Sequence, residues 1–113
     1  MTDKAHISPY MYYVMVDIDP VRGADYLNWL NTKQIGDVVN TPWVLWARKV
    51  TLEQKAEDGW DKIMIVYGFP SQKEYLEYRK SDVFKKLAEE LKPFKGVYRV
   101  TRFYGQIDLV LDG

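Results

Sequence analysis

Residues 10–19, YMYYVMVDID, have the composition of a β-strand in which both faces are largely apolar. Side chains alternate along a strand, so one face consists of Tyr10, Tyr12, Val14, Val16 and Ile18, and the other of Met11, Tyr13, Met15, Asp17 and Asp19. A solvent-exposed face rarely carries two methionines and a tyrosine, whereas a strand buried on both faces rarely carries an aspartate. We therefore expect the second face to line a pocket.

The rest of the chain supplies two helices and three further strands. Asp19 and Pro20 favour the start of helix one, which is expected in two pieces interrupted near Gly36. Ser71 and Glu74 form a capping box before helix two, and Ser81 is placed to cap a second piece of it. The segments are ADYLNWLNTKQIGDVVN (24–40) for helix one, PWVLWARKV (42–50), DKIMIVYGF (61–69) and GVYRVTRFYGQIDLVLD (96–112) for the strands, and YLEYRKSDVFKKLAEELKPF (75–94) for most of helix two.

The element order strand, helix, strand, strand, helix, strand predicts a ferredoxin-like βαββαβ fold of the α+β class. In this fold a four-stranded antiparallel sheet carries both helices on one face. The other face would expose a large apolar surface in a monomer. We therefore predict a homodimer in which the open faces of two sheets meet and enclose a cavity, that is, a dimeric α+β barrel.

Composition narrows the class of protein. A chain of 113 residues with 47% apolar residues is one folded domain, expected over residues 10–113 after a flexible N-terminal arm at 1–9. The 16 basic and 16 acidic residues cancel, which argues against a nucleic-acid partner. There is no bilayer-length apolar run, no signal-peptide core and no cysteine, and we expect a cytoplasmic protein without membrane association.

Two segments resemble a known superfamily. The broken helix at 75–94 and the run YLNWLNTKQIGDVV (26–39) are similar to those of the dimeric α+β barrel superfamily, especially its EthD-like members and related small proteins of unassigned function. The likeness covers most of residues 10–111. It implies the barrel fold and a range of activities that includes cofactor-free monooxygenases, polyketide cyclases, lactone isomerases, dehydratases, haem-degrading enzymes and binding modules.

The chain departs from that superfamily at one position. Several members carry a histidine near the end of helix one, where this sequence has Gln34, so a histidine acid or haem ligand is not expected there. Asp37 matches the acidic residue of the same run and stays a candidate ligand-binding residue, as does Gln34. The single histidine, His6, falls in the predicted arm and is expected to have no role.

Several mechanisms lack the residues they need. The sequence has no metal-ligand spacing, no glycine-rich phosphate loop, and no nucleophile elbow with a histidine partner. We therefore predict no metal and no cofactor, and we exclude triad hydrolysis.

Asp17 is the predicted general base, because a carboxylate in an aromatic cavity is desolvated and its pKa rises toward neutrality. The alternative is an ordinary ion pair with Arg48, Arg99 or Arg102. On the last strand either Arg99 or Arg102 would hold a carboxylate or enolate oxygen that Tyr104 or Tyr13 orients, since the sequence alone leaves open which parity of this strand faces the cavity. We favour Arg102 and Tyr104 toward the cavity, with Phe103 toward the helices. The alternative for these residues is a polar lining or a dimer rim.

Aromatic and sulfur-containing side chains are the predicted binding walls. Met11, Met15, Trp46 and Trp60 would contact the ligand, although each also suits a purely structural role. The predicted function is a cofactor-free enzyme that acts on a small apolar or aromatic metabolite through acid–base and enolate chemistry, as an isomerase, cyclase, lyase or monooxygenase. The alternatives are a non-catalytic ligand-binding or accessory barrel and a haem-binding or haem-degrading barrel.

Overall fold

The computed structural model describes residues 9–113. The predicted N-terminal arm, including His6, lies outside the described residues except for Pro9. The elements in chain order are β1 (Tyr10–Ile18), α1 (Ala24–Trp29), a π-helical turn (Leu30–Gln34), α2 (Ile35–Val39), β2 (Trp46–Thr51), β3 (Asp61–Phe69), α3 (Gln72–Arg79), α4 (Asp82–Glu90), a 3-10 turn (Lys92–Phe94) and β4 (Tyr98–Gln106). None of the helices in this part of the chain is both long and apolar enough to span a bilayer.

The four strands form one antiparallel sheet in the order β2-β3-β1-β4. β1 lies in the centre, with Val14 opposite Ile65 of β3 and Arg102 of β4. The ferredoxin-like prediction is confirmed, with the helices packed on one face. That face carries Tyr12, Val16 and Ile18, as the alternation in β1 predicts, together with the β3 side chains of the same parity.

Two details of the predicted boundaries differ from the structure: the residue expected to cap helix one and the start of β2. Asp19 does not cap helix one: its carboxylate accepts the N–H groups of Val21 and Arg22 at 2.9 and 3.1 Å, and the turn it stabilises delays the helix to Ala24. β2 begins at Trp46 rather than at Pro42, since residues 41–43 form a turn before the first bond to β3, from the N–H of Leu45 to the Gly68 carbonyl.

Helix two divides where the sequence predicts. The Ser81 hydroxyl accepts the N–H of Phe84 at 3.2 Å and caps α4. The Ser71 hydroxyl accepts the N–H of Lys73 and donates to the Glu74 carboxylate, a variant of the predicted capping box. Helix one also consists of two pieces, but the interruption is the π-helical turn before Gly36 rather than Gly36 itself.

The sheet face away from the helices, here called the open face, remains uncovered in the single chain. Its residues can be assigned from the strand register, because directly opposed residues project to the same side of a sheet. Phe103 and Val50 on this face are 51% and 47% exposed. The members are Met11, Tyr13, Met15 and Asp17 on β1; Lys62, Met64, Val66 and Gly68 on β3; Arg99, Thr101, Phe103 and Gly105 on β4; and Trp46, Arg48 and Val50 on β2.

Candidate functional site

A small cavity lies between the helices and the sheet, on the face opposite to the one the sequence favours. Its volume is about 60 Å³, room for several water molecules or part of one ring. The lining residues are Tyr12, Val14, Gln34, Tyr67, Tyr78, Phe84, Leu87, Ala88, Leu91 and Arg102. The lining is therefore mostly apolar and aromatic, with three phenols, one amide and one guanidinium as its polar groups.

Gln34 reaches this cavity because it ends the π-helical turn. A π-helical turn inserts one extra residue into a helix and commonly marks a functional position. The Tyr67 hydroxyl of β3 donates a 3.2 Å hydrogen bond to Gln34 Oε1. Burial strongly raises the pKa of the Tyr67 phenol, so this group stays protonated and remains a donor at neutral pH.

Two further phenols open into the same cavity. Tyr12 from β1 and Tyr78 from α3 are each 3% exposed, and among the described residues neither hydroxyl has a hydrogen-bond partner. In that part of the chain no sealed side-chain nitrogen or oxygen atom lacks a partner, so both hydroxyls must reach solvent-accessible space. Burial raises the pKa of the Tyr78 phenol, and the Arg102 charge opposes the shift only in part. The cavity thus presents neutral O–H donors.

α4 forms one wall of the cavity and is linked to helix one by an ion pair. Phe84, Leu87, Ala88 and Leu91 form this wall. Lys33, in the π-helical turn, lies 2.9 Å from a Glu90 carboxylate oxygen of α4 and 2.7 Å from Asp37 Oδ2. Both carboxylates raise the pKa of Lys33 and keep the bridge charged at neutral pH.

Leu87 also borders a second space. An apolar groove of about 410 Å³ lies between α4 and the segment that comes after α2, lined by Asp37, Asn40, Thr41, Pro42, Trp43, Val83, Lys86 and Leu87. Leu87 is buried and is the one residue that lines both the cavity and this larger groove.

The predicted acid–base set is divided between the two faces of the sheet. Asp17 lies on the open face, paired with Lys62 at 3.0 Å and with Arg99 at 3.3 Å, which is the ion-pair alternative. Arg102 faces the helix side, opposite Val14. Asp17 and Arg102 therefore do not form one site within a single chain.

The expected parity of β4 is reversed. Tyr104 lies on the helix side and stacks on Tyr75, with ring centroids 5.5 Å apart, whereas Phe103 lies on the open face beside Tyr13. The reason is the register: Tyr12 is opposite Tyr104, and Tyr12 belongs to the helix-side core. Arg102 and Tyr104 do share a face, but it is not the face that a second sheet would cover.

The remaining predicted residues lie apart from the cavity. Trp46 covers Gly68 on the open face, near Met11, and Met15 lies further along the same face. Trp60 lies beneath the Arg99 guanidinium, 4.2 Å from ring centroid to Cζ. Asp37 pairs with Lys33 and borders the outer groove. Of the predicted site residues, the cavity contains only Arg102 and Gln34.

The sequence reading missed the three phenols of the cavity. Tyr12, Tyr67 and Tyr78 occupy positions with the spacing of core residues, and their apolar bodies do pack in the core. The hydroxyl groups could have indicated the site, because a buried tyrosine hydroxyl usually has a hydrogen-bond partner, and that partner must lie inside the fold. In residues 9–113, no group of three or more histidine, cysteine, aspartate or glutamate side chains is arranged to hold a metal.

Comparisons with known proteins support the fold. A family model described as a domain of unknown function, DUF4286, matches residues 9–103. No curated protein matches the chain. Solved structures of low sequence identity share the architecture over nearly their whole length.

Three of these structures illustrate the likeness. Hydroxynitrile lyase from Passiflora edulis has a TM-score of 0.65 at 14% identity, with 93% of this chain and 99% of that chain covered. The cofactor-independent oxygenase SnoaB from Streptomyces nogalater has a TM-score of 0.67 at 8% identity, covering 94% and 99%. An EthD family protein from Bacillus halodurans has a TM-score of 0.62 at 8% identity, covering 83% and 96%. These proteins thus share the ferredoxin-like α+β architecture of this chain.

Proposed function

We propose that this chain, which belongs to the DUF4286 family of unknown function, is a cofactor-free enzyme that stabilises an enolate or phenolate of a small apolar or aromatic metabolite. The observation that carries this proposal is that three phenols line one apolar cavity: the Tyr67 hydroxyl is engaged with Gln34, whereas those of Tyr12 and Tyr78 have no partner among the described residues and are free to donate. Hydrogen-bond donors fixed in a site of low polarity stabilise developing negative charge far better than water does.

The donors match the charge that such a reaction creates. Removing a proton beside a carbonyl places negative charge on the carbonyl oxygen, and neutral phenols can donate to that oxygen without losing their own protons. The raised pKa values of Tyr67 and Tyr78 keep these groups protonated. The Tyr67 hydroxyl also holds Gln34 Oε1, which orients the amide of Gln34 over the same space.

No aspartate, glutamate or histidine of the described residues lines the cavity. The best substrates are therefore compounds whose C–H or O–H proton is already acidic, such as β-diketones and hydroxylated aromatic rings, with water at the cavity mouth as the proton acceptor. Isomerisation, cyclisation, elimination and oxygenation all begin from this anion. A hydroxynitrile lyase and a cofactor-independent oxygenase share this fold, which supports a cofactor-free enzyme.

The size of the cavity limits the ligand. Pockets for drug-sized ligands usually measure about 300–1,000 Å³, whereas this cavity measures about 60 Å³. The ligand is therefore no larger than a single ring, part of which lies in the mouth near Arg102 and Leu91.

Deuterium exchange tests the proposal directly. A panel of β-diketones and hydroxylated aromatic compounds is incubated with the protein in D₂O. Because O–H protons exchange without an enzyme, NMR follows label at the carbon between the two diketone carbonyls and at the ring carbons ortho and para to the hydroxyl. The wild-type chain should accelerate exchange, and Tyr78→Phe should lower that rate by about 100-fold or more, as loss of one oxyanion donor does. Tyr10→Phe removes a phenol from the same buried face that does not line the cavity, so it should keep the wild-type rate.

A non-catalytic binding protein is the second candidate, favoured by the lack of a carboxylate or imidazole base in the cavity lining. The same assay separates the two functions. A ligand that shifts the NMR signals of the cavity residues but gains no deuterium across the panel would support binding without catalysis.

A homodimer formed through the open faces is part of the proposal. The open face carries Tyr13, Met64, Trp46 and Phe103, a contiguous apolar surface of the kind that marks an interaction site. The shared fold with dimeric barrel proteins supports this arrangement. Sedimentation at micromolar concentration should give twice the chain mass of 13.3 kDa, and a species at 13.3 kDa would refute it.

A further inference from the structure

We infer that the ligand of the cavity is a small organic carboxylate, with an apolar or aromatic body inside the cavity and its carboxylate held at the mouth by Arg102. The inference rests on the proposed function, in that it takes this cavity as the ligand site. It adds that the ligand is negatively charged and that Arg102 is the residue that recognises this charge.

The first observation is the charge of the lining. Of the ten residues around the cavity, Arg102 is the only one with a formal charge, and none is acidic. A cationic ligand would lose its hydration among apolar side chains and phenol donors without gaining a counter-ion. An anion, in contrast, meets O–H donors and one guanidinium.

The second observation is that Arg102 alone lacks a partner. The chain has five arginines, all within the described residues. Among those residues, Arg102 makes no hydrogen bond, ion pair or ring contact. Each of the other four has a partner. Arg22 pairs with Asp19, and Arg79 donates to the Tyr75 hydroxyl. Arg48 contacts the Ala47 carbonyl and the Trp46 ring, and Arg99 contacts Asp58, Asp17 and the Trp60 ring.

The third observation is the position of Arg102. It lies on β4, an edge strand, at the open side of the cavity, and it is exposed. Its charge reaches the interior, since it lowers the pKa of the Tyr26 and Tyr78 phenols against the larger effect of burial. A guanidinium in this place can take both oxygens of a carboxylate while the rest of the ligand extends toward Tyr78.

A pair of isosteric probes tests the inference. Benzoate and benzamide have the same ring and nearly the same shape, but only benzoate is charged. Binding to the full chain is followed by NMR shifts of the cavity residues, for the wild type, Arg102→Gln and Lys85→Gln. Lys85 is an exposed cation on α4 outside the cavity lining, so Lys85→Gln removes the same charge without touching the mouth.

The expected result is selective. Wild type and Lys85→Gln bind benzoate more tightly than benzamide, and Arg102→Gln weakens benzoate by about tenfold or more while leaving benzamide unchanged. Arg102→Lys keeps the charge but not the planar fork, so its affinity for benzoate should fall between those of the wild type and Arg102→Gln. Salt should weaken benzoate binding to the wild type more than to Arg102→Gln.

The outcomes distinguish this inference from the proposed function. If both probes bind the cavity equally and Arg102→Gln changes neither, the carboxylate inference is overturned while the cavity remains a binding site. If neither probe shifts any cavity signal at tens of millimolar, the carboxylate inference is overturned, and the deuterium-exchange assay with the diketone and phenol panel decides the proposed function separately.

Discussion

Replacing Gly68 with alanine should displace Trp46 and weaken the proposed dimer. Gly68 lies on β3 with Trp46 opposite it on β2, and the indole covers the glycine. A Cβ at position 68 would lie 2.6, 2.8 and 2.9 Å from Cε2, Cζ2 and Nε1 of that indole. These separations are far below van der Waals contact, so the ring must leave its place.

The size of the effect depends on the contacts that the ring loses. Overpacking costs about 1–3 kcal/mol, and replacing a strand glycine with alanine returns about 0.5–1 kcal/mol, so we expect a net loss of about 1 kcal/mol. For a domain of this length that loss lowers the melting temperature by about 4 °C. A displaced aromatic anchor in an interface costs about 2 kcal/mol, which is roughly a 30-fold weaker dimer.

The chain offers a matched control on the same face. Gly105 is the partner of Met11 on the other side of β1, and a Cβ there meets nothing within 4 Å. Gly105→Ala adds a methyl group without displacing a ring, so it should lower the melting temperature and the affinity of the proposed dimer less than Gly68→Ala does. Thermal melts and sedimentation velocity over a concentration series compare the two variants. The reasoning is refuted if Gly68→Ala matches the wild type in both measurements, or if Gly105→Ala is as damaging.

Three further perturbations test other parts of the structure. Leu87→Ala should lower the free energy of unfolding in urea by about 2–5 kcal/mol. Loss of this side chain should also join the cavity to the outer groove and shift ligand preference toward larger rings. An unchanged ligand preference would show that Leu87 does not divide the two spaces. Asp19 accepts the N–H groups of Arg22 and Val21 and pairs with the Arg22 guanidinium, which lowers its pKa in the folded state. The Asp19 carboxylate therefore stabilises the folded state above its unfolded pKa of about 3.9, and this stabilisation is lost as pH falls through the lower folded pKa. The free energy of unfolding of Asp19→Asn should fall less than that of the wild type over this acid range. Identical pH profiles of the two proteins would argue against this role. Gly23→Ala places a Cβ 2.5 Å from a backbone oxygen of the preceding turn and should cost about 1–3 kcal/mol, whereas Gly36→Ala has open space in a helix and should gain up to about 1 kcal/mol; equal effects would contradict this account.

The sequence predicts the fold well because its signals are local and repeated. Alternation in residues 10–18 assigns Val16 and Ile18 to the helix side, and the Ser81 cap divides helix two, both as observed. These features depend on side-chain periodicity and on short-range hydrogen bonds, which a single sequence displays directly.

The site is harder to predict because both sheet faces are apolar. On β4 each parity contains an arginine and an aromatic residue, and a one-residue difference in register exchanges the two faces. Only the pairing of Arg102 with Val14 and of Arg99 with Asp17 separates them. The cavity itself is a gap of molecular size left by packed side chains, and no periodic pattern encodes a gap.

The π-helical turn at Leu30–Gln34 changes the direction in which the following side chains of helix one project. It holds one residue more than an α-helical turn, so the side chains of α2 are rotated by about 100° relative to an uninterrupted helix. The reach of Gln34 to Tyr67 and the complete burial of Val38 both depend on that rotation. A deletion of one residue here would therefore replace Gln34 in the cavity lining by a neighbouring side chain and leave the identity of the other nine lining residues unchanged. Chain length at this turn, and not only residue identity, therefore decides which side chain of helix one faces the cavity.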